Sequence, residues 1–487
     1  MIIFIAKVIL ALVLLPPVYI IYGLVYRCHK RSLKFLRGPV NTSLFFGADY
    51  DLLHQEETGV LEKKWFEEYG TAFRASTYFS EDMLMLALRQ FLGLFQRSTE
   101  RLVEKWQQEL GNSASEGSVI NVTTWLPKIT LDVIGESAFN YHFGSLDGKE
   151  TELGTIFENL FAESRLYPRE MQLLYRALRR NVPVAVANLL LQFPTKEEKR
   201  YLSFLNASKK VARPLFEKAS AEKTIRNESE GKDVLSVLVH ANQEEDPTKA
   251  LDEDEVLSQM ATIILAGHET TASAMTWILY ALTKSPKDQE IIYREIQEVR
   301  ERNGDNEPSP QDLDSMPFFN AVIKEGLRLY PIVPTINREA QSDDVIPLEF
   351  PITTVSGEEI SQIPVSKGQR LSLCLGMYNR LPQAWGDDAD QWNPGRFVNP
   401  TKKNTTLGVY ANLLSFSAGL RACIGWRFAV MELQAILFGL TEKFEFCAPA
   451  SGVLDEIQAV PFGVIIPLKK GKWREGKQMP LLVKARR

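Results

Sequence analysis

The stretch Phe416-Ser417-Ala418-Gly419-Leu420-Arg421-Ala422-Cys423-Ile424-Gly425 runs directly into WRFAVMELQAILFGL at 426–440. Apolar residues recur there at helical spacing, so a final helix is expected to begin at Cys423. A thiol at a helix start faces free backbone amides and the positive end of the dipole, and both favour the thiolate. Gly419 and Gly425 leave room for a flat ligand where a side chain would collide. Arg421 offers a guanidinium to a carboxylate, and Phe416 can shield sulfur from water. A buried structural cysteine in a glycine-containing turn is the plainer reading of a lone Cys. It does not explain why five such residues fall within ten positions.

Upstream, Glu253 to Ser285 reads as the longest soluble-type helix, with Asp252 and Asp254 at its start and Pro286 at its end. It would run about 50 Å. Its centre, MATIILAGHETTASAMTWILYAL, is nearly all apolar and should be buried. Inside it lies Ala266-Gly267-His268-Glu269-Thr270-Thr271. Polar groups mid-way along an apolar helix are costly without partners or water. Gly267 leaves space beside the helix, and a disturbed hydrogen-bond ladder is expected there. A threonine bonding back to its own helix is the bland alternative. His268 reads as a pocket residue rather than a metal ligand.

A helix from Met316 to Tyr330 carries Glu325 and Arg328 on one face, a weak signal alone. Trp392-Asn393-Pro394-Gly395-Arg396-Phe397 follows downstream. Val333 to Arg338 and Leu371 to Cys374 look like short strands. Glu81 to Leu110 and Asn121 to Ala138 look like helices, the second with Asn121 as its N-cap. The fold class is mainly α with a minor β portion toward the C-terminal half.

The 487 residues are 45% hydrophobic and 24% charged, an ordinary globular composition. A net charge of −5 gives no support to a nucleic-acid partner. Cys28, Cys374, Cys423 and Cys447 form no C-x-x-C pair, so a zinc site or disulfide framework is not expected. Val8 to Tyr26 is 19 residues without a charge, enough to cross a bilayer. Residues 1–26 therefore read as a transmembrane anchor, 27–48 as a basic linker and 49–487 as the main domain. Arg27, Lys30, Arg31, Lys34 and Arg37 follow the span against Lys7 before it, which places the domain in the cytosol. Cys28 reads as a free thiol, with lipidation as the alternative. Val182 to Phe193 reads as core or as a second membrane-dipping patch.

The 416–425 stretch resembles the haem-binding signature of the cytochrome P-450 family, F-x-x-G-x-R-x-C-x-G, at every fixed position. The resemblance covers roughly residues 30 to 475 and suggests a membrane-anchored, fungal-like type. It implies one large haem domain holding haem b, with Cys423 as axial iron ligand. Phe416, Gly419, Arg421, Gly425 and Arg338 would contact the haem. The 266–271 stretch matches the family's oxygen-activation motif, where Thr270 and Glu269 would organise proton delivery. Glu325, Arg328 and Arg396 would form a buried structural network, although Gly395 stands where Glu is frequent.

The implied activity is insertion of one oxygen atom from O2 into a hydrophobic small molecule, with electrons from NADPH through a membrane-bound reductase. The endoplasmic reticulum is the implied location. Terpenoid, polyaromatic, steroid, fatty-acid and xenobiotic substrates all stay open. One departure matters. The family's substrate loop and a helix carrying W-x-x-x-R are missing near residues 74–81, where Glu81 is expected to start a helix almost at once. The only such spacing, Trp392 to Arg396, belongs to the other motif. That departure keeps a degenerate, inactive haem-binding protein as the rival reading. A reductase-independent haem-thiolate isomerase is a second rival, but it would have no need of Thr270.

Overall fold

Proline and charge punctuate the chain where its helices begin. In the computed structural model, Pro286 and Pro317 each open a helix at its first turn. The structure describes residues 91–111, 116–148, 195–221, 250–304, 306–399, 407–461 and 463–486. It also describes residues 64, 68, 72–76, 82–86 and parts of 234–242. The expected anchor, the basic linker and the 182–193 patch lie outside the described residues. Among the described residues no helix is long and apolar enough to cross a membrane.

The long helices are α1 (Leu92–Leu110), α2 (Val122–Phe139), α3 (Lys196–Ala221), α4 (Glu253–Lys284), α5 (Pro286–Asn303), α6 (Pro317–Leu329) and α7 (Trp426–Lys443). Strands β1 (Ala72–Ser76) and β2 (Asp82–Leu86) form an antiparallel hairpin. β3 (Ser118–Asn121) is followed by β4 (Ile336–Glu339), β5 (Asp344–Thr353), β6 (Glu359–Val365) and β7 (Arg370–Leu373). β8 (Phe444–Cys447), β9 (Ile457–Pro461), β10 (Ile465–Lys469) and β11 (Pro480–Ala485) complete the set. These strands make only small sheets: β3-β11-β8, and the pairs β4-β7, β5-β6 and β9-β10. Mainly helical with a minor β portion is therefore the observed class.

Three expected boundaries move. Residues 82–86 are strand, not the first turn of a helix, and α1 starts at Leu92. Met83 to Leu86 is a short apolar run that suits strand as well as helix, and antiparallel pairing with β1 decides for the strand. Asn121 ends β3, and its carboxamide oxygen accepts from the Met479 N–H and the Thr123 hydroxyl instead of capping α2 through an amide. The last helix starts at Trp426, three residues after Cys423, because Gly425 sits outside helical geometry.

The chain divides into two compact units. In the first, which includes residues 201–265, Asp252 and Glu255 cap the start of α4 reciprocally. Lys209 and Arg213 of α3 pair there with Asp254 and Glu253. The second unit holds residues 95–132, 144–200 and 266–487. Its core packs α1 against α7: Phe95 meets Phe428 edge-on at 5.1 Å, and a side chain at Gly439 would collide with Thr99. Gln289 of α5 bonds both backbone groups of Phe446, at 2.8 and 3.0 Å, and so ties β8 to the helices. Glu295 of α5 accepts from the free amides of Phe318 and Phe319, capping α6 from outside. That rigid cap fixes the helix on which the site network is built.

Candidate active site

Helix α6 presents Glu325 and Arg328 one turn apart, both wholly buried. Two buried charges survive only with good geometry and every remaining hydrogen-bonding group satisfied. Arg328 meets both Glu325 oxygens, at 2.7 and 2.8 Å. Its other N–H groups donate to the carbonyls of Asn379, Ala389 and Gln391. Arg396 donates to Glu325 at 3.2 Å and pairs with Asp388 at 2.9 Å. The three residues singled out in the sequence thus come together. Asp388 completes the network and was not foreseen, since nothing in its local pattern marks it. The Asn393 amide and the Arg396 guanidinium hold its carboxyl below the usual carboxylate range.

The network reaches the cysteine loop through two polar side chains. Ser415, one residue before Phe416, donates to the Leu327 carbonyl of α6 at 2.6 Å. Asn379, whose carbonyl binds Arg328, donates to Ser415 and accepts from the Leu414 amide. The loop is therefore pinned at its N-terminal end to the buried ion network. It closes on itself where the Cys423 N–H donates to the Phe416 carbonyl at 2.8 Å. Phe416 and Trp426 both pack on Tyr410, a half-buried phenol whose pKa is raised by desolvation.

The Cys423 side chain reaches solvent, yet the atoms around it still partly desolvate the sulfur. That partial burial outweighs the Gly425 N–H, which pulls the other way, so the thiol sits above its ordinary range and the chain alone does not favour the thiolate as expected. Gly419 sits at φ +66°, and a side chain at Gly419 or Gly425 would meet nothing within 4 Å. Leu420 and Ile424 stand fully exposed on either side of the thiol. Arg421 and Arg338 are exposed too, and Arg338 leans on the neighbouring Asn337 carbonyl. An open-faced loop with an amide-supported thiol and apolar flanks suits a broad apolar ring. Exposed guanidiniums suit that ring's acidic side chains.

The 266–271 motif lies on an uninterrupted stretch of α4; the expected break in the ladder is absent. The Thr270 hydroxyl donates back to the Ala266 carbonyl at 2.7 Å, the bland alternative, and that bond leaves the backbone ladder intact. Glu269 is buried and takes the Lys477 ammonium at 2.5 Å, with the His268 ring 3.7 Å away. Lys477 lies in the segment before β11, too far along the sequence for pattern reading to connect the two. The Thr130 hydroxyl of α2 donates to the His268 carbonyl at 3.0 Å and locks the motif from a second helix.

A model of the family described as cytochrome P450 matches residues 66–474. The chain belongs to the cytochrome P450 family. This P450 is 32% identical over 411 residues to cytochrome P450 monooxygenase 205 of Postia placenta, covering 82% of this chain and 72% of the relative. It is 28% identical over 538 aligned residues to cytochrome P450 monooxygenase claO of Ampulloclitocybe clavipes, covering 97% of each. The heme domain of cytochrome P450DA shares its fold, with TM-score 0.57 and 23% identity over 82% of this chain and 74% of that one. The protein is thus a fungal-type P450 monooxygenase, an oxidoreductase that incorporates molecular oxygen.

Proposed function

We propose that this P450 holds haem b on the 416–425 loop, with Cys423 as axial ligand, and oxidises a hydrophobic small molecule. The observation that carries this reading is the loop itself: a solvent-reaching thiol supported by an amide, flanked by open glycines and apolar surface. When bound, the haem supplies the oxygen chemistry, and a cysteine thiolate lends it electron density. The chain's own residues do the rest. Gly419 and Gly425 would admit the ring, Phe416 would help shield the sulfur once the ring covers it, and Arg421 and Arg338 would take the propionates. Thr270 and Glu269 hold and pass protons, which requires Thr270 Oγ1 to leave the Ala266 carbonyl and Glu269 to loosen from Lys477.

Electrons would come from NADPH through a reductase. The 1–26 segment would anchor the protein in the endoplasmic reticulum, with the catalytic domain cytosolic. A purified full-length chain loaded with haem should give a thiolate-type spectrum with carbon monoxide. Its absence would overturn the reading.

A second reading, a degenerate haem protein, is favoured by one observation. The alignment with claO runs to 538 positions, more than the chain's whole length of 487, so positions of that relative have no counterpart here. The omission is expected near 74–81, between β1 and β2, where Phe73 and Arg74 lead almost directly to the next element. On this reading the chain lacks the W-x-x-x-R helix and binds haem weakly. Sequencing the messenger across this junction decides whether the omission is real.

A further inference from the structure

The segment that leads into the cysteine loop is wound more tightly than a connection requires. Residues 410–413 form a turn closed by the Leu413 N–H on the Tyr410 carbonyl at 2.9 Å, with Ala411 at φ +51° and Asn412 at φ +59°. Two successive left-handed residues are the mark of a type I′ turn, where glycine and asparagine are at ease and alanine is strained. Such strain persists only where the surroundings fix it. Here the Asn412 side chain accepts the Leu407 N–H at 2.6 Å, and any side chain at Gly408 would fall on the Leu413 carbonyl. A second turn follows, closed by the Ser417 N–H on the Leu414 carbonyl at 2.8 Å, with Ser417 at φ +61°.

What the two turns hold in place is the ring of Tyr410. It meets Phe416 nearly edge-on at 6.0 Å, and Trp426 at 5.6 Å with 38° between the planes. Phe416 opens the cysteine loop and Trp426 opens α7 just after it, so one ring touches both ends of the loop. Phe416 is also the residue whose carbonyl takes the Cys423 N–H. We propose that Tyr410 is a positioning residue for Cys423: held by the strained turn, its ring braces Phe416 and Trp426 and so fixes where the sulfur stands and how far water reaches it. The brace rests on the reading of Cys423 as haem ligand; the geometry of the turn does not. The ring carries the brace and the hydroxyl has no part in it.

Aromatic pairs contribute beyond the area they bury, and Tyr410→Leu removes two of them at once. The haem-loaded full chain of this variant should lose haem to excess apomyoglobin about tenfold faster than the parent. Its reduction potential should rise, because water that reaches a thiolate stabilises the more negative, reduced state. Tyr410→Phe keeps the ring and should match the parent in both readouts. Ala411→Val keeps every ring but puts a β-branched residue in a left-handed position, so it should reproduce the leucine variant.

The parent's spectrum with carbon monoxide separates the brace from the ligand reading beneath it. A parent without the thiolate-type band would defeat the ligand reading and the brace with it. With that band present, an unchanged rate of haem loss and an unchanged potential in Tyr410→Leu would overturn the brace alone. So would a leucine variant that loses only thermal stability, or that fails to fold while Tyr410→Phe folds, since either result makes the ring part of the core. Equal losses in the Phe and Leu variants would move the effect to the hydroxyl and overturn the ring's role. A parent-like Ala411→Val would overturn the part given to the turn.

Discussion

Two regions of the same unit treat polar groups in opposite ways. Around Glu325, Arg328 and Arg396, each carboxylate oxygen and guanidinium finds a partner, and the central pair has no exposure at all. Around Cys423, the thiol, Arg421 and Arg338 reach solvent, and Leu420 and Ile424 stand out beside them. The contrast separates two uses of the same residue types. Arginine in the first region is saturated by its own chain and serves the fold. Arginine in the second keeps donors to spare and is available to a ligand. Ser415 and Asn379 join the two regions, so the closed network sets where the open loop lies.

The largest effect expected from breaking this contrast is at its closed side. Glu325→Ala leaves Arg328 buried and unpaired, which should cost about 3–5 kcal/mol and leave little folded protein at 37 °C. Denaturant titration checks this, and a loss below about 1 kcal/mol would mean that the network is not saturated as described. Arg396→Ala should cost less, about 2 kcal/mol, because Arg396 is partly exposed and Glu325 keeps Arg328. Ser415→Ala should lower stability by only about 1 kcal/mol yet lower haem occupancy at limiting haem, since it frees the loop from α6. Thr270→Ala should hardly change stability, its bond being internal to α4, while peroxide release rises at the expense of product. Unchanged coupling in that variant would assign Thr270 to the helix alone. Cys374→Ser, in an exposed position outside the loop, should change none of these.

The sequence made the ends of this comparison legible and left the middle dark. Cys423, Gly419 and Gly425 were readable because a thiol, two glycines and a guanidinium within ten positions constrain one another locally. Glu325 with Arg328 was readable only as a weak spacing. Asp388, Asn379, Tyr410 and Lys477 enter through contacts between distant segments, which no local period reveals. The α4 helix was legible almost to the residue, since Asp252 and Pro286 mark both ends. The 82–86 strand was not, because a short apolar run fits helix and strand alike until its partner β1 is known.

The most direct test concerns the open side of the contrast. Full-length parent and Cys423→Ala should each be loaded with haem, reduced, and exposed to carbon monoxide. The parent should show the thiolate-type absorption, and the variant should lose it while keeping its far-ultraviolet helical signal. A thiolate-type spectrum surviving in Cys423→Ala, or absent from a parent that holds stoichiometric haem, would contradict the assignment of Cys423.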